Sequence, residues 1–249
     1  MQRERASWII VTYNDTNYVI QCVNSIRAFK ENISDEIIII DDGSAPDVKT
    51  KLSSYFGAAG CRYEYFNRQE RPMLSYLRSV GRELSSCDWV IWLDNDVMLD
   101  NGLCQKDLVL KMQTLWGEIP NLGAVQPRRY TPRGDKGANR FDRNLTYVGS
   151  NGDGIAKAMY PDGCFWMSHR STFDKWEFKS YLSCFEDSCV GLQMYREGLS
   201  VYCDNSFGVF HKVWSSGLWK YALEHNEFRE MVISEYRDDI EKICCEFGT

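Results

Sequence analysis

Short apolar runs alternate with helical periodicity along the first hundred residues, and each run stops at polar or acidic side chains. Trp8-Ile9-Ile10-Val11-Thr12-Tyr13-Asn14 reads as a first strand. Asp15, Thr16 or Asn17 can cap the following helix, in which Val19, Cys22, Val23, Ile26 and Phe29 recur on one face. Glu36 to Ile40 reads as a second strand ending in Asp41-Asp42-Gly43-Ser44. A helix from about Asp47 to Tyr55, a strand near Arg62 to Phe66 and a helix opened by Pro72 and running to about Leu84 follow. Then comes Asp88-Trp89-Val90-Ile91-Trp92-Leu93-Asp94-Asn95-Asp96, an apolar run suited to a strand buried on both faces, closed by two carboxylates.

Strand, helix, strand at this spacing is a right-handed βαβ unit. The expected fold is therefore α/β: a single Rossmann-like domain with a mostly parallel central sheet flanked by helices. Ligands in such sheets bind beyond the carboxyl ends of the strands. Three of these strands end in polar, mostly acidic residues on that edge, a convergence that suggests a nucleotide and metal crevice rather than three unrelated turn caps. Neither GxGxxG nor GxxxxGK[ST] follows the first strand, which disfavours a dinucleotide fold or a P-loop. With few backbone amides to cradle a diphosphate, a divalent cation on Asp94 and Asp96 would have to neutralise it.

The second half is less regular. A helix is expected from Leu103 to Leu115, with strands at Leu122–Gln126, Gly163–Met167 and Leu199–Cys203. Phe185-Glu186-Asp187 precedes a helical stretch closed by Gly198. Val209-Phe210-His211 is a short apolar run ending in one of three histidines. Residues 128 to 160 lack periodicity and read as a long functional or mobile loop. Within it, Arg128, Arg129, Arg133, Lys136 and Arg140 read as a solvated basic cluster, with a phosphate or acceptor clamp as the other reading. From Trp214 to Cys244 the pattern is amphipathic helix, broken once.

Composition narrows the class. With 249 residues, 44% apolar and 14% aromatic content, a sizeable core can form. The net charge of −6 and the lack of a basic block leave no nucleic-acid footprint. No apolar run approaches a membrane span. The ten cysteines sit in apolar runs, as Cys22, Cys104 and Cys189 do, and no secretory leader opens the sequence; buried free thiols are expected. The chain reads as cytoplasmic, or as a domain of a longer polypeptide.

At this point the residues resemble a nucleotide-sugar glycosyltransferase of the GT-A fold, family 2 type. Ile10 to Asn14 with Ile37 to Ser44 resembles the family's "VTYN … IIDDGS" opening. Leu77-Arg78-Ser79-Val80-Gly81 is similar to its "ARNxG" helix, with Ser79 where Asn is usual. Leu93-Asp94-Asn95-Asp96 matches DxD. Phe185-Glu186-Asp187 with Leu192, Arg196 and Gly198 loosely matches "EDxDLxxRxxxxG", lacking the second Asp. The resemblance spans roughly residues 7 to 213. It implies a GT-A domain at 1–213, with a nucleotide-binding half at 1–100 and an acceptor-binding half at 101–213, followed by a helical extension at 214–249.

The resemblance also implies roles. Val11 and Tyr13 would border the nucleobase, and Asp42 would accept from an imide N–H, which favours a UDP-type donor. Arg71 or Arg78 would reach the base or diphosphate. Asp96 and His211 would ligate Mn²⁺ or Mg²⁺, with Asp94 on the ribose or a metal-bound water. Asp187 would be the catalytic base of an inverting single displacement, with Glu186 as the other candidate. Gly163 and Trp166 are candidates for the sugar pocket, although Trp166 suits the core. Residues 128–160 and Trp214–Tyr221 are candidates for recognising the acceptor, which would be a glycan, a protein or another hydroxyl compound. Two other readings stand beside this one: a non-catalytic nucleotide-sugar-binding module, and a sugar-1-phosphate nucleotidyltransferase on a related fold.

Overall fold

The computed structural model describes residues 2–29, 35–67, 73–99, 108–132, 134–149, 154–182, 184–212 and 226–249. Arg71, Cys104, Arg133 and the Trp214–Tyr221 segment lie outside the described residues.

The first half follows the pattern of apolar runs. Strands β1 (Ala6–Thr12), β2 (Glu36–Asp41), β3 (Arg62–Tyr65) and β4 (Trp89–Asp94) alternate with helices α1 (Asn17–Phe29), α2 (Pro46–Ala58) and α3 (Leu74–Leu84). The four strands are parallel, in the order β3-β2-β1-β4. Both faces are covered, as near-continuous apolar strands require. Trp8, Ile10, Ile37, Ile39, Ile91 and Leu93 pack on one face; Ile9, Ile38, Ile40, Val90 and Trp92 pack on the other. Each such buried side chain contributes roughly 1.5–3 kcal/mol.

Asp15 caps α1 by accepting from the Tyr18 N–H at 2.9 Å. Gly81 explains part of the α3 sequence. A Cβ at this position would stand 2.3 Å from Ile9 Cγ2, so only a glycine lets α3 lie this close on β1.

The second half completes a ten-stranded mixed sheet. It comprises β5 (Val97–Met98), α4 (Leu108–Glu118), β6 (Leu122–Thr131), β7 (Gly134–Lys136), β10 (Ile155–Ala158), β11 (Phe165–His169) and β12 (Ser200–His211). β11 runs antiparallel between β4 and β6, β12 is parallel to β6, and β10 closes the edge antiparallel to β12. Thus β3, β2, β1, β4, β6 and β12 point one way along the sheet, and only β11 and β10 on that path point back. β8 (Arg140–Phe141) and β9 (Tyr147–Gly149) form a separate ribbon.

Several elements depart from the sequence reading. β6 continues through Pro127 to Thr131, and residues 128–160 hold four short strands rather than one irregular loop. The two short runs at Leu199–Cys203 and Val209–His211 are one strand, β12, whose register against β6 shifts between Asp204 and Gly208. That irregularity interrupts the alternation and splits the strand in the sequence pattern. Trp166 is a core residue, fully buried and stacked on Trp92 with ring centroids 4.1 Å apart.

Helix α5 (Glu186–Arg196) and the terminal helix α6 (Glu227–Phe247) pack together over a third apolar cluster that includes Phe141, Tyr160, Leu192, Phe228, Tyr236 and Ile240. The expected break falls at Tyr236, where φ is −119° and ψ 22°. Arg196 fastens the two helices by donating twice to Asp239 Oδ2, at 2.9 and 2.5 Å, with its guanidinium 4.4 Å from the Tyr236 ring centroid. Every cysteine among the described residues is a free thiol, and all but Cys61 and Cys245 are buried. No helix among them is long and apolar enough to cross a membrane.

Candidate active site

The carboxyl ends of β1, β2 and β4 are stitched into one ledge. Val11 sits in register between Ile40 of β2 and Asp94 of β4. The Asp42 N–H donates to the Thr12 carbonyl at 2.8 Å, and Asp42 itself is only 4% exposed. Asn14, at φ 50°, bridges the two loops: its N–H donates to Ser44 Oγ and its Oδ1 accepts from the Ala45 N–H, both at 2.8 Å. Tyr13, 44% exposed, projects beside this ledge. Asn95, the middle residue of Asp-Asn-Asp, donates to Thr12 Oγ1 (3.2 Å) and Asp15 Oδ2 (3.1 Å), locking the β4 turn onto β1.

His211 reaches this ledge through β5. That two-residue strand pairs with the end of β12, with His211 opposite Val97, and the Lys212 N–H donates to the Asp96 carbonyl at 3.1 Å. His211 Nε2 therefore lies 2.9 Å from Asp96 Oδ1 and 3.7 Å from Asp94 Oδ2. One ligand atom from each of Asp94, Asp96 and His211 falls within 4.8 Å of the others. Burial pushes the His211 imidazole toward neutrality, but its hydrogen bond to Asp96 and the charge of Asp94 prevail and raise its pKa. A cation would take over the role that this proton plays. Two carboxylate oxygens and one imidazole nitrogen fit a divalent cation, and the nitrogen suits Mn²⁺ better than Mg²⁺.

Beside the triad lies a cavity of about 540 Å³, lined among others by Arg78, Asp94, Arg129, Asp162, Gly163, Glu186, Asp187 and Ser188. Asp187 and Glu186 form the first turn of α5, after Phe185 in the left-handed region at φ 62°. The two neighbouring carboxylates have different surroundings. Asp187 Oδ1 accepts from its own turn, from the Ser188 N–H at 2.7 Å. Its Oδ2 lies 3.1 Å from where a Cβ on Gly163 would sit. Burial raises the Asp187 pKa. Glu186 is 6% exposed and accepts from Arg78 Nη1 at 2.9 Å. Burial outweighs that guanidinium and lifts Glu186 to about 7.

Arg78 is buried at 2% exposure. Its Nη2 donates to Asp94 Oδ1 (3.0 Å) and to the Gly163 carbonyl (2.7 Å). A second, partly buried pair, Arg129 Nη1 to Asp162 Oδ1 at 2.7 Å, flanks the cavity. Burial pushes Asp162 up, but Arg129 and the Cys164 N–H outweigh it and hold the carboxylate below its usual range.

Sequence reasoning did not single out Asp162, nor Asn226 and Arg229, which α6 brings to the cavity wall. Arg129 it read within a solvated cluster. The signal for Asp162 was its place immediately before Gly163; Asn226 and Arg229 carry none.

An open α/β sheet with an Asp-x-Asp turn and a histidine at its carboxyl edge, beside a cavity walled by carboxylates, defines a GT-A-type transferase domain. The chain belongs to glycosyl transferase family 2, whose model matches residues 7–176. A Bacillus subtilis (strain 168) protein named "Putative glycosyltransferase EpsH" is 28% identical over 109 residues, which is 43% of this chain and 30% of that protein. Two solved structures share the fold at 15% identity. GalNAc-T7, crystallised with UDP, GalNAc and Mn²⁺, gives a TM-score of 0.66 over 85% of this chain and 44% of its own. S. aureus TarS 1-349 gives 0.57 over 81% of this chain and 60% of its own. The chain thus spans less than two thirds of each of these relatives.

Proposed function

We propose that the domain transfers a sugar from a nucleoside-diphosphate donor, of UDP type, to an acceptor hydroxyl with inversion at C1 and with a divalent cation. The observation that carries this reading is the Asp94–Asp96–His211 cluster at the mouth of a cavity that Asp187 lines. The UDP and Mn²⁺ of the GalNAc-T7 crystals support the donor and metal choice.

Val11 and Tyr13 border the base, and the Asp42 carboxylate accepts from the uracil imide N–H. Asp96 and His211 would hold the cation, with Asp94, expected on the ribose or a metal-bound water, now close enough to join them; the cation would supply Lewis-acid charge to the departing diphosphate. Asp187 takes the proton of the acceptor hydroxyl as that oxygen bonds to C1 and the C1–O bond to the diphosphate breaks. The surroundings of the two α5 carboxylates favour Asp187 as the base: Glu186 is held by a buried guanidinium, whereas Asp187 Oδ2 lies beside the side-chain-free Gly163. Arg129 and Asp162 border the acceptor side.

The test is thermal stabilisation and product formation across a nucleotide-sugar panel with Mn²⁺, with Mg²⁺ and with chelator. A ligand at ~100 times its dissociation constant adds roughly 2.7 kcal/mol of stability. The expected result is a melting shift with one uridine sugar that chelation removes, followed by a β-configured product from an α-configured donor. Retention of configuration would overturn the single displacement, and a shift unaffected by chelator would overturn the metal.

A further inference from the structure

Arg78 touches three segments of the site, drawn from both halves of the fold. It projects from α3 in the nucleotide half. It donates to Asp94 at the end of β4, to the Gly163 carbonyl before β11, and to Glu186 at the start of α5. These three contacts come from two terminal nitrogens, at 2.7 to 3.0 Å, inside the protein. A guanidinium presents its donors in a rigid planar fork and holds these acceptors in one fixed geometry, whereas an ammonium is a compact point charge on a flexible stem whose donors rotate. From this geometry we infer that Arg78 is a positioning residue, a buried tie that fixes Asp94 relative to Glu186 and hence to the neighbouring Asp187, and not a contact to the donor nucleotide.

The surroundings of Glu186 support this. Helix α5 begins without a side-chain cap, and Phe185 enters it in the left-handed region. For a bulky residue that conformation persists only where the surroundings over-determine it. The Arg78–Glu186 pair acts on that first turn together with two bonds local to the helix start, the Cys189 N–H to the Phe185 carbonyl (3.0 Å) and the Ser188 N–H to Asp187 Oδ1 (2.7 Å); of these three, it alone reaches in from another element. The pair sits next to Asp187 in sequence, so its loss turns the Asp187 carboxylate directly. On the other side, Asp94 is about a third exposed, and its Oδ1 faces Arg78 while its Oδ2 faces His211. The guanidinium therefore selects which carboxylate oxygen is left for the cation. The role assigned to Asp187 rests on the transfer reaction proposed above; the tie itself does not.

The experiment uses the whole chain and three variants: Arg78→Lys, Arg78→Met and Arg78→Met/Glu186→Gln. The double variant leaves no buried carboxylate unpaired at position 186, so it keeps the fold if Arg78→Met alone does not. Hydrogen exchange read without ligand is expected to lose about tenfold or more protection across residues 186–190 in both Met variants. In turnover, kcat is expected to fall about a hundredfold, the cost of displacing a reacting group by about 1 Å. The UDP dissociation constant is expected to stay within about threefold, because ground-state binding does not use the tie. Arg78→Lys is expected to restore part of the exchange protection and only part of kcat. Unchanged protection at 186–190 overturns the tie whatever the activity. A rise of about tenfold or more in the UDP constant with kcat preserved makes Arg78 a donor contact and also overturns it. Full recovery of kcat in Arg78→Lys overturns it as well, since charge without the fork would then suffice. Lost protection in a protein that turns over no nucleotide sugar sinks the proposed reaction and leaves the tie standing.

Discussion

His211 Nε2 and Asp96 Oδ1 stand 2.9 Å apart because a two-residue strand, β5, clips the end of β12 to the turn after β4. The proposed ligand set is thus assembled from distant parts of the chain by sheet pairing, not by a local loop. Replacing His211 with Ala should leave the two carboxylates in place and remove the only nitrogen. The expected outcome is a Mn²⁺ affinity lowered by about 10- to 100-fold, with less discrimination between Mn²⁺ and Mg²⁺. Titration of Mn²⁺ followed by electron paramagnetic resonance measures both. Unchanged affinity would remove His211 from the ligand set.

Asp187→Asn keeps size and hydrogen bonding but cannot take a proton. kcat should drop by about 10²- to 10⁴-fold while UDP affinity stays near that of the parent. Glu186→Gln should cost less in kcat, since the amide oxygen can still accept from Arg78 and hold the first turn of α5. If the Glu186 variant is the more damaged of the two, the base assignment must be exchanged.

The acid limb of the kcat profile follows from the raised pKa of Asp187. The proposed reaction needs the carboxylate, and burial holds its pKa above that of an ordinary aspartate. The rate should therefore fall at a pH higher than a solvated Asp would give, and the limb should vanish in the residual activity of Asp187→Asn. Rates under single turnover across pH 4 to 8 would show it; a limb that persists unchanged belongs to another group.

Stability has its own pH signature at Glu186. Its folded pKa of about 7 lies above the unfolded value, so the folded state binds the proton more tightly. This contribution is full below the unfolded pKa and is lost as pH rises through about 7. The metal-free protein should melt higher at pH 6 than at pH 8, and Glu186→Gln should narrow that gap. Calorimetry at the two pH values decides it; an equal gap in the variant would mean that other groups produce the slope.

Gly163→Ala tests the space beside the base. Its Cβ would stand 3.1 Å from Asp187 Oδ2, closer than most such contacts, so the carboxylate must move by a few tenths of an ångström. The expected effect is a kcat lowered by roughly tenfold, with a melting temperature within a few degrees of the parent. Wild-type kcat would show that Asp187 has slack at this point.

Much of the first half was legible because its signals are local. The apolar runs of β1, β2 and β4 are buried on both faces, and their ends at Asp42, Asp94 and Asp96 share one sheet edge. The second half hid its strands. Pro127 reads as a stop, yet β6 carries it as far as Thr131; the register shift after Asp204 divides β12 in two. The partly buried Arg129–Asp162 pair was invisible for the same reason. An arginine just past an expected strand end looks solvated, and a carboxylate partner brought in from before β11 leaves no periodicity. The three-way contact of Arg78 likewise depends on crossings between halves, which no spacing along the chain encodes.

The third apolar cluster, between α5, α6 and the Phe141–Tyr160 region, is separate from the two that sandwich the sheet. Helix α5 bridges the two sides, giving Cys189 and Leu192 to this outer cluster and Val190 and Met194 to an inner one. Asp187 stands on the boundary, in the helix that belongs to this outer cluster yet is pinned from the inner one. One wall of the cavity thus draws its support from the outer cluster while Arg78 ties it to Asp94 on the sheet, so substitutions in the outer cluster are the ones that would reshape the cavity while that tie persists.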